Sequence, residues 1–145
     1  MGKREDIAKQ MSLLVPVMIR NMYPFVFQPL DLPPSQVLVL SVLFEKGRCR
    51  IGQLSRYMHN SPPTTSGIID RLEKSGYIKR IKDVKDRRAT SVVLTQRGRK
   101  VVEQFQLNIK QRWQFILSKL TESEGDEILR VIQRIVKGLG DGTTT

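Results

Sequence analysis

Residues 61 to 95 read SPPTTSGIIDRLEKSGYIKRIKDVKDRRATSVVLT, and a change of period inside this stretch decides the fold. Ile68, Ile69 and Leu72 recur at helical spacing behind Ser61, a capping residue, and behind Pro62 and Pro63, which fit a first turn where a missing N–H costs nothing. Gly76 ends that helix. From Tyr77 the period drops to two, so Tyr77 to Ile81 and Ser91 to Leu94 predict two short strands joined by the charged loop Lys82 to Thr90. Just upstream, Leu54, Tyr57 and Met58 mark a short helix from Ile51 that stops at the turn His59-Asn60-Ser61. Two short helices across a tight turn, then a hairpin with a basic tip, make a winged helix-turn-helix. A helix of about 10 to 12 Å diameter fits the ~12 Å major groove of duplex DNA, and a hairpin can reach the adjacent minor groove.

Working outward, Ile7, Met11, Leu14, Met18 and Met22 recur every three to four residues, which predicts an amphipathic helix over residues 4 to 23. Pro16 is expected to kink or break it. Tyr23 to Pro34, with Pro24, Pro29, Pro33 and Pro34, reads as a connector. Pro34 and Ser35 open a second helix, apolar on nearly all sides from Val37 to Phe44, that belongs in the core and stops at Gly47. Thr95 caps a long helix carrying Val102, Phe105, Ile109, Trp113, Ile116 and Leu120. Its roughly 25 residues span on the order of 38 Å, longer than so small a domain needs, so it is expected to reach a partner chain. Thr121 and Glu124 form a capping box that starts a last helix through Ile128, Ile132, Ile135 and Leu139. The expected class is mainly α with a small β-hairpin wing, in a single domain over residues 1–145. The winged unit takes 35–100, outer helices take 1–34 and 101–139, and 140–145 is a flexible tail.

The charge is concentrated on the winged unit. The chain holds 25 Lys and Arg against 14 Asp and Glu, a formal charge of +11. Between Arg48 and Lys100 lie fourteen basic and four acidic groups, so +10 of that total falls within 53 residues, while both flanks are close to neutral. This makes the middle the candidate anion-binding surface. The apolar runs Met11 to Ile19 and Val37 to Phe44 fall far below the ~18 to 20 residues a bilayer span needs, so no membrane partner is expected. Glu5 and Asp6 follow the basic start and no small-residue cleavage site appears, so no signal peptide is expected. One cysteine and one histidine make neither a disulfide nor a zinc site, and a reduced, cytoplasmic protein is the expectation.

The wing sequence Asp83-Val84-Lys85-Asp86-Arg87-Arg88 resembles the D-x-x-D-R-R signature of the MarR (multiple antibiotic resistance regulator) family of winged helix-turn-helix transcription regulators. It stands after Asp70-Arg71-Leu72-Glu73-Lys74-Ser75-Gly76-Tyr77-Ile78 and before Ser91-Val92-Val93-Leu94-Thr95 and Gly98, in the family's order and spacing, and the similarity runs from about Pro34 to Phe105. The resemblance implies a homodimer whose first and last helices intertwine, binding double-stranded DNA at an inverted repeat as a regulator, with repression the expected mode. It also implies that a small-molecule effector of unknown identity can act on it. Carried over by position, DNA contacts fall on Thr64, Ser66 and Gly67 at the start of the recognition helix and on Arg87 and Arg88 in the wing. Lys74, on the outward side of the same helix, and Arg71, on its flank, join them. Arg87 is expected in the minor groove and Arg88 paired with Asp70, while Asp83 and Asp86 join Asp70 as wing-stabilising residues. Gly67 departs from the larger polar residue common at its position, and Val84 replaces a frequent proline.

Other chemistry is weakly represented. Cys49, between Arg48 and Arg50, is a candidate redox sensor, but a lone cysteine between two helices more often packs. His59 reads as a turn residue, and Trp113 and Phe115 as core or interface aromatics, or as the lining of an effector pocket. No nucleophile-and-base pair, phosphate loop or paired carboxylates stand out, so neither an enzyme nor a cofactor is expected. The alternative is a winged-helix RNA-binding or protein-interaction adaptor, which needs no dimer.

Overall fold

The computed structural model describes residues 2–86 and 88–140. Helix α1 (Lys3–Val26) is followed by α2 (Pro34–Lys46), strand β1 (Cys49–Arg50), α3 (Ile51–Met58), α4 (Pro62–Lys74), strands β2 (Ile78–Lys82) and β3 (Thr90–Leu94), and helices α5 (Gln96–Leu117) and α6 (Glu122–Leu139). The three strands form one antiparallel sheet in the order β1-β3-β2. In its register Arg80 and Cys49 both lie opposite Val92, and Ile78 lies opposite Leu94.

The core forms where α2 crosses the winged unit. Val39, Leu40 and Leu43 pack with Cys49, Leu54, Ile68, Ile69, Leu72, Ile78, Val92 and Val102, all buried. A smaller cluster of Val26, Val37 and Phe105 joins the end of α1 to α2 and α5. There buried Asn108 donates from Nδ2 to the Val26 carbonyl at 3.3 Å, a polar tie between α1 and α5. The nearly all-apolar α2 occupies the centre of the core, with Leu38 the apolar side chain left exposed.

Four expectations need correcting. Pro16 neither breaks α1 nor does the helix stop at Tyr23: it runs through Pro16 and Pro24 to Val26. Each proline removes one bond of the ladder, and the carbonyls left over, on Ser12 and Arg20, lie on stretches that are exposed in the protomer. Helix α5 ends at Leu117 rather than near Leu120, because the Lys119 and Leu120 amides turn back three residues to Ile116 and Leu117. The first hairpin strand is displaced by one residue, Ile78–Lys82 instead of Tyr77 to Ile81, the second starts one residue early at Thr90, and β1 went unforeseen because two residues show no period. Of the expected tail only Gly140 lies within the described residues.

Candidate nucleic-acid interface

The helix-turn-helix is held by local chemistry. His59 adopts the left-handed conformation (φ 54°), which turns the chain out of α3, and the Asn60 amide reaches back to the Ser55 carbonyl at 3.0 Å. Ser61 caps α4, its Oγ accepting from the Thr64 amide at 3.3 Å and lying 2.9 Å from the Thr64 hydroxyl. With Pro62 and Pro63 occupying the first turn, α4 starts rigidly and presents its N-terminus to solvent.

Thr64, Arg71 and Lys74 are exposed on α4, and Ser66 and Gly67 half-buried; a side chain at Gly67 would meet open space. Thr65 turns away from this surface: it is fully buried and its Oγ1 finds no hydrogen-bond partner. Small residues at 64, 66 and 67 leave room for a groove floor or phosphate to approach the backbone, and the exposed N-terminus of α4 favours anions.

The wing is organised by its carboxylates. Asp83 Oδ1 accepts from the Lys85 amide at 2.9 Å, and its Oδ2 lies 3.5 Å from Arg50 Nη2 on β1. Asp86 Oδ1 accepts from the Arg88 amide at 3.0 Å, and the loop closes with Asp83 and Ala89 paired through their backbones. Arg88 is exposed, whereas Arg87, expected to enter the minor groove, lies outside the described residues.

The pairing expected between Asp70 and Arg88 is replaced by another. Asp70 Oδ1 accepts from Nη2 of Arg80 at 2.6 Å, and Glu73 Oε1, one turn along α4, accepts from Nη1 at 2.5 Å. The Asp70 hydrogen bond, and then the Glu73 charge, push the Arg80 guanidinium further up from its usual range, although partial burial pulls it down. Arg80 shares a strand face with buried Ile78, so it points back at α4, whereas Arg88 sits at the far end of the hairpin. The signal was in the sequence: an arginine stands where the alternation calls for a core residue, after a helix with acids three apart.

Each of the four carboxylates between Arg48 and Lys100 is thereby engaged inside the segment. Arg71, Lys74, Lys79, Lys82, Lys85 and Arg88 remain exposed around α4 and the hairpin, so an incoming polyanion meets cations.

The remaining candidates take other places. Cys49 is buried in the core, and burial pushes its thiol up against the lowering effect of Lys46, which makes a poor thiolate. Trp113 lines a cleft of about 670 Å³ between the facing ends of α5 and α6, while Phe115 borders a smaller cavity of about 220 Å³ with Phe25 and Arg112. No helix among the described residues is long and apolar enough to cross a membrane.

Comparison with known proteins agrees with this geometry. The MarR family profile matches residues 32–90, from just before α2 to the first residue of β3. The HTH-type transcriptional regulator YsmB of Bacillus subtilis (strain 168) is 32% identical over 101 residues, 70% of this chain and 66% of YsmB, just under two thirds of that protein. Rv1404 of Mycobacterium tuberculosis superposes with a TM-score of 0.84 at 20% identity, over 97% of each chain. A variant of MepR from S. aureus, bound to an oligodeoxyribonucleotide, superposes with a TM-score of 0.66 at 21% identity, over 92% of this chain and 98% of that one. With the profile matching most of the winged unit, a regulator matching most of the chain and the same fold end to end, this protein belongs to the MarR family of winged helix-turn-helix transcriptional regulators.

Proposed function

We propose that the protein acts as a homodimer on an inverted-repeat operator in double-stranded DNA, as a repressor, with α4 in the major groove and the wing in the adjacent minor groove. The observation that carries this reading is the charge arrangement: the segment from Arg48 to Lys100 engages each of its four carboxylates internally and surrounds the small-residue start of α4 with exposed Lys and Arg. In this reading Thr64, Ser66 and Gly67 allow close approach to bases and phosphates, and Arg71, Lys74 and Arg88 contact the backbone. Arg87 is the wing cation for the minor groove, where a guanidinium is favoured by the negative potential of narrow A·T-rich sequence. Asp70, Asp83 and Asp86 hold the wing.

The dimer is supported by what the protomer leaves uncovered. Helix α6 has no buried residue, and α1 exposes Met11, Leu14, Met18 and Ile19. A small-molecule effector belongs to the same proposal. The apolar cavity of about 290 Å³ between α1 and α5, lined by Met18, Met22, Phe27, Phe105 and Ile109, lies on the two helices that would couple a dimer seam to the winged unit.

Selection of bound duplexes from a random pool tests the reading. The expected result is a palindrome with half-sites roughly 10 base pairs apart, centre to centre. With roughly 6 to 10 phosphate contacts, affinity should fall by about 10³ to 10⁵ between about 50 and 200 mM salt. A pool that yields no palindrome, or tighter binding to single-stranded or folded RNA, would favour the adaptor reading instead.

A further inference from the structure

We propose that Arg80 is a positioning residue that braces the wing against the recognition helix and so fixes where the wing meets DNA. The inference rests on the operator-binding reading above. The chain leaves α4 through a single tight turn, in which the Tyr77 amide bonds the Leu72 carbonyl at 2.9 Å and Gly76 takes a positive φ of 82°. The base of the hairpin is also held, by β1 paired to β3 and by Ile78 and Val92 in the core, and what these contacts leave open is the angle at which β2 leans on α4. Arg80 stands three residues beyond Tyr77, on β2, about 10 Å out at ~3.3 Å per residue, and ties β2 directly to α4, which fixes that angle.

The guanidinium suits this task for geometric reasons. Its two terminal nitrogens each take one carboxylate, Nη2 that of Asp70 and Nη1 that of Glu73, so a planar fork spans one turn of α4. A lysine would meet both from one nitrogen on a flexible stem and so would not fix their relative geometry. An isolated exposed ion pair would contribute little, but here both acceptors converge on one side chain that is 30% exposed and rises from a strand paired along its whole length. Asp70 also lies on the same outward side of α4 as Ser66, Gly67 and Lys74 and stays 65% exposed, so the brace pairs a carboxylate beside the proposed DNA surface with a cation.

The test is the Arg80→Ala variant on the selected operator, with A·T-rich or G·C-rich sequence placed under the wings. A loosened wing loses its groove reading, so the preference for A·T flanks should shrink about tenfold. The slope of log affinity against log salt should hold, because Arg80 touches no phosphate in this reading. Arg80→Lys should fall between the variant and the wild type. Asp70→Ala combined with Glu73→Ala keeps the guanidinium but removes its acceptors, and should also weaken the flank preference. An equal loss on both flanks with the slope reduced by about one would make Arg80 a plain phosphate contact and overturn the brace. An unchanged flank preference would overturn it too. A wild-type protein that selects no duplex defeats the operator reading, and the brace is then judged without DNA. Spin labels on Val84→Cys and Arg71→Cys should show a broader distance distribution once Arg80 is alanine, and an unchanged distribution would overturn it.

Discussion

At Gly98 one methyl group decides whether α5 can seat on the wing. A Cβ at this position would stand 2.1 Å from the Tyr77 carbonyl oxygen, a backbone atom that cannot swing aside. The close approach follows from the junction itself: the Thr95 amide donates to that same Tyr77 oxygen at 3.1 Å, and the Thr95 hydroxyl donates to the Gly76 carbonyl at 2.7 Å. Arg97 adds a bond from Nη1 to the Ser75 carbonyl at 2.9 Å. Gly98→Ala should therefore destabilise the fold by about 1 to 3 kcal/mol, the range of forced overpacking, read as a lower denaturant midpoint at unchanged slope. A variant as stable as the wild type would mean the junction relaxes freely. The sequence marks Gly98 as part of the family pattern, but its steric reason appears only when α5 is laid on the end of α4. The same limit applies to Arg80 and Asp70: each residue type is legible, whereas the partner depends on which strand face turns inward.

Among the elements, α6 is the most plainly written in the sequence, and its start responds to acid. The Thr121 hydroxyl accepts from the Glu124 amide at 3.1 Å, and a Glu124 carboxylate oxygen accepts from the Thr121 amide at 3.0 Å. These bonds from Thr121 hold the Glu124 carboxyl below its usual range. A depressed folded value means the cap contributes fully above the ordinary carboxylate range and is lost as pH falls through the lowered value. Amide exchange at residues 123 to 126 should thus rise as pH is lowered from roughly 6 to 3, after correction for the intrinsic rate, and Glu124→Gln should flatten that dependence. Thr121→Ala should cost about 1 kcal/mol of helix stability. Equal protection across the range would remove the carboxylate from the cap. Caps of this kind are local, four residues long, and so can be read from sequence. Helix ends without them are harder: α1 passes two prolines although each removes a bond of its ladder, and α5 stops early without a glycine or proline to mark it.

For the whole molecule, the decisive feature is how little of the outer helices the protomer covers. The stripe on α5 is buried at Val102 and Phe105 but only half-buried at Ile109, Trp113 and Ile116, so cover thins as the helix leaves the winged core. Beyond it α6 exposes Leu129, Val131, Ile132, Ile135, Val136 and Leu139, and α1 exposes a comparable row. Contiguous apolar faces of this extent mark association sites rather than ordinary surface. The flanks carry almost none of the net charge, so a second copy can approach them without the repulsion it would meet at the winged unit. A two-fold assembly through α1 and α6 would also place two copies of α4 on one side, as a palindrome requires. Removing residues 121–145 should accordingly abolish dimerisation and, with it, tight binding to the palindrome, while a single half-site is bound weakly and about equally by both forms. Sedimentation of the full chain and of the truncated chain, each alongside operator binding, checks this. A monomeric full chain, or a truncated chain that still holds the palindrome tightly, would show that these faces serve some other contact.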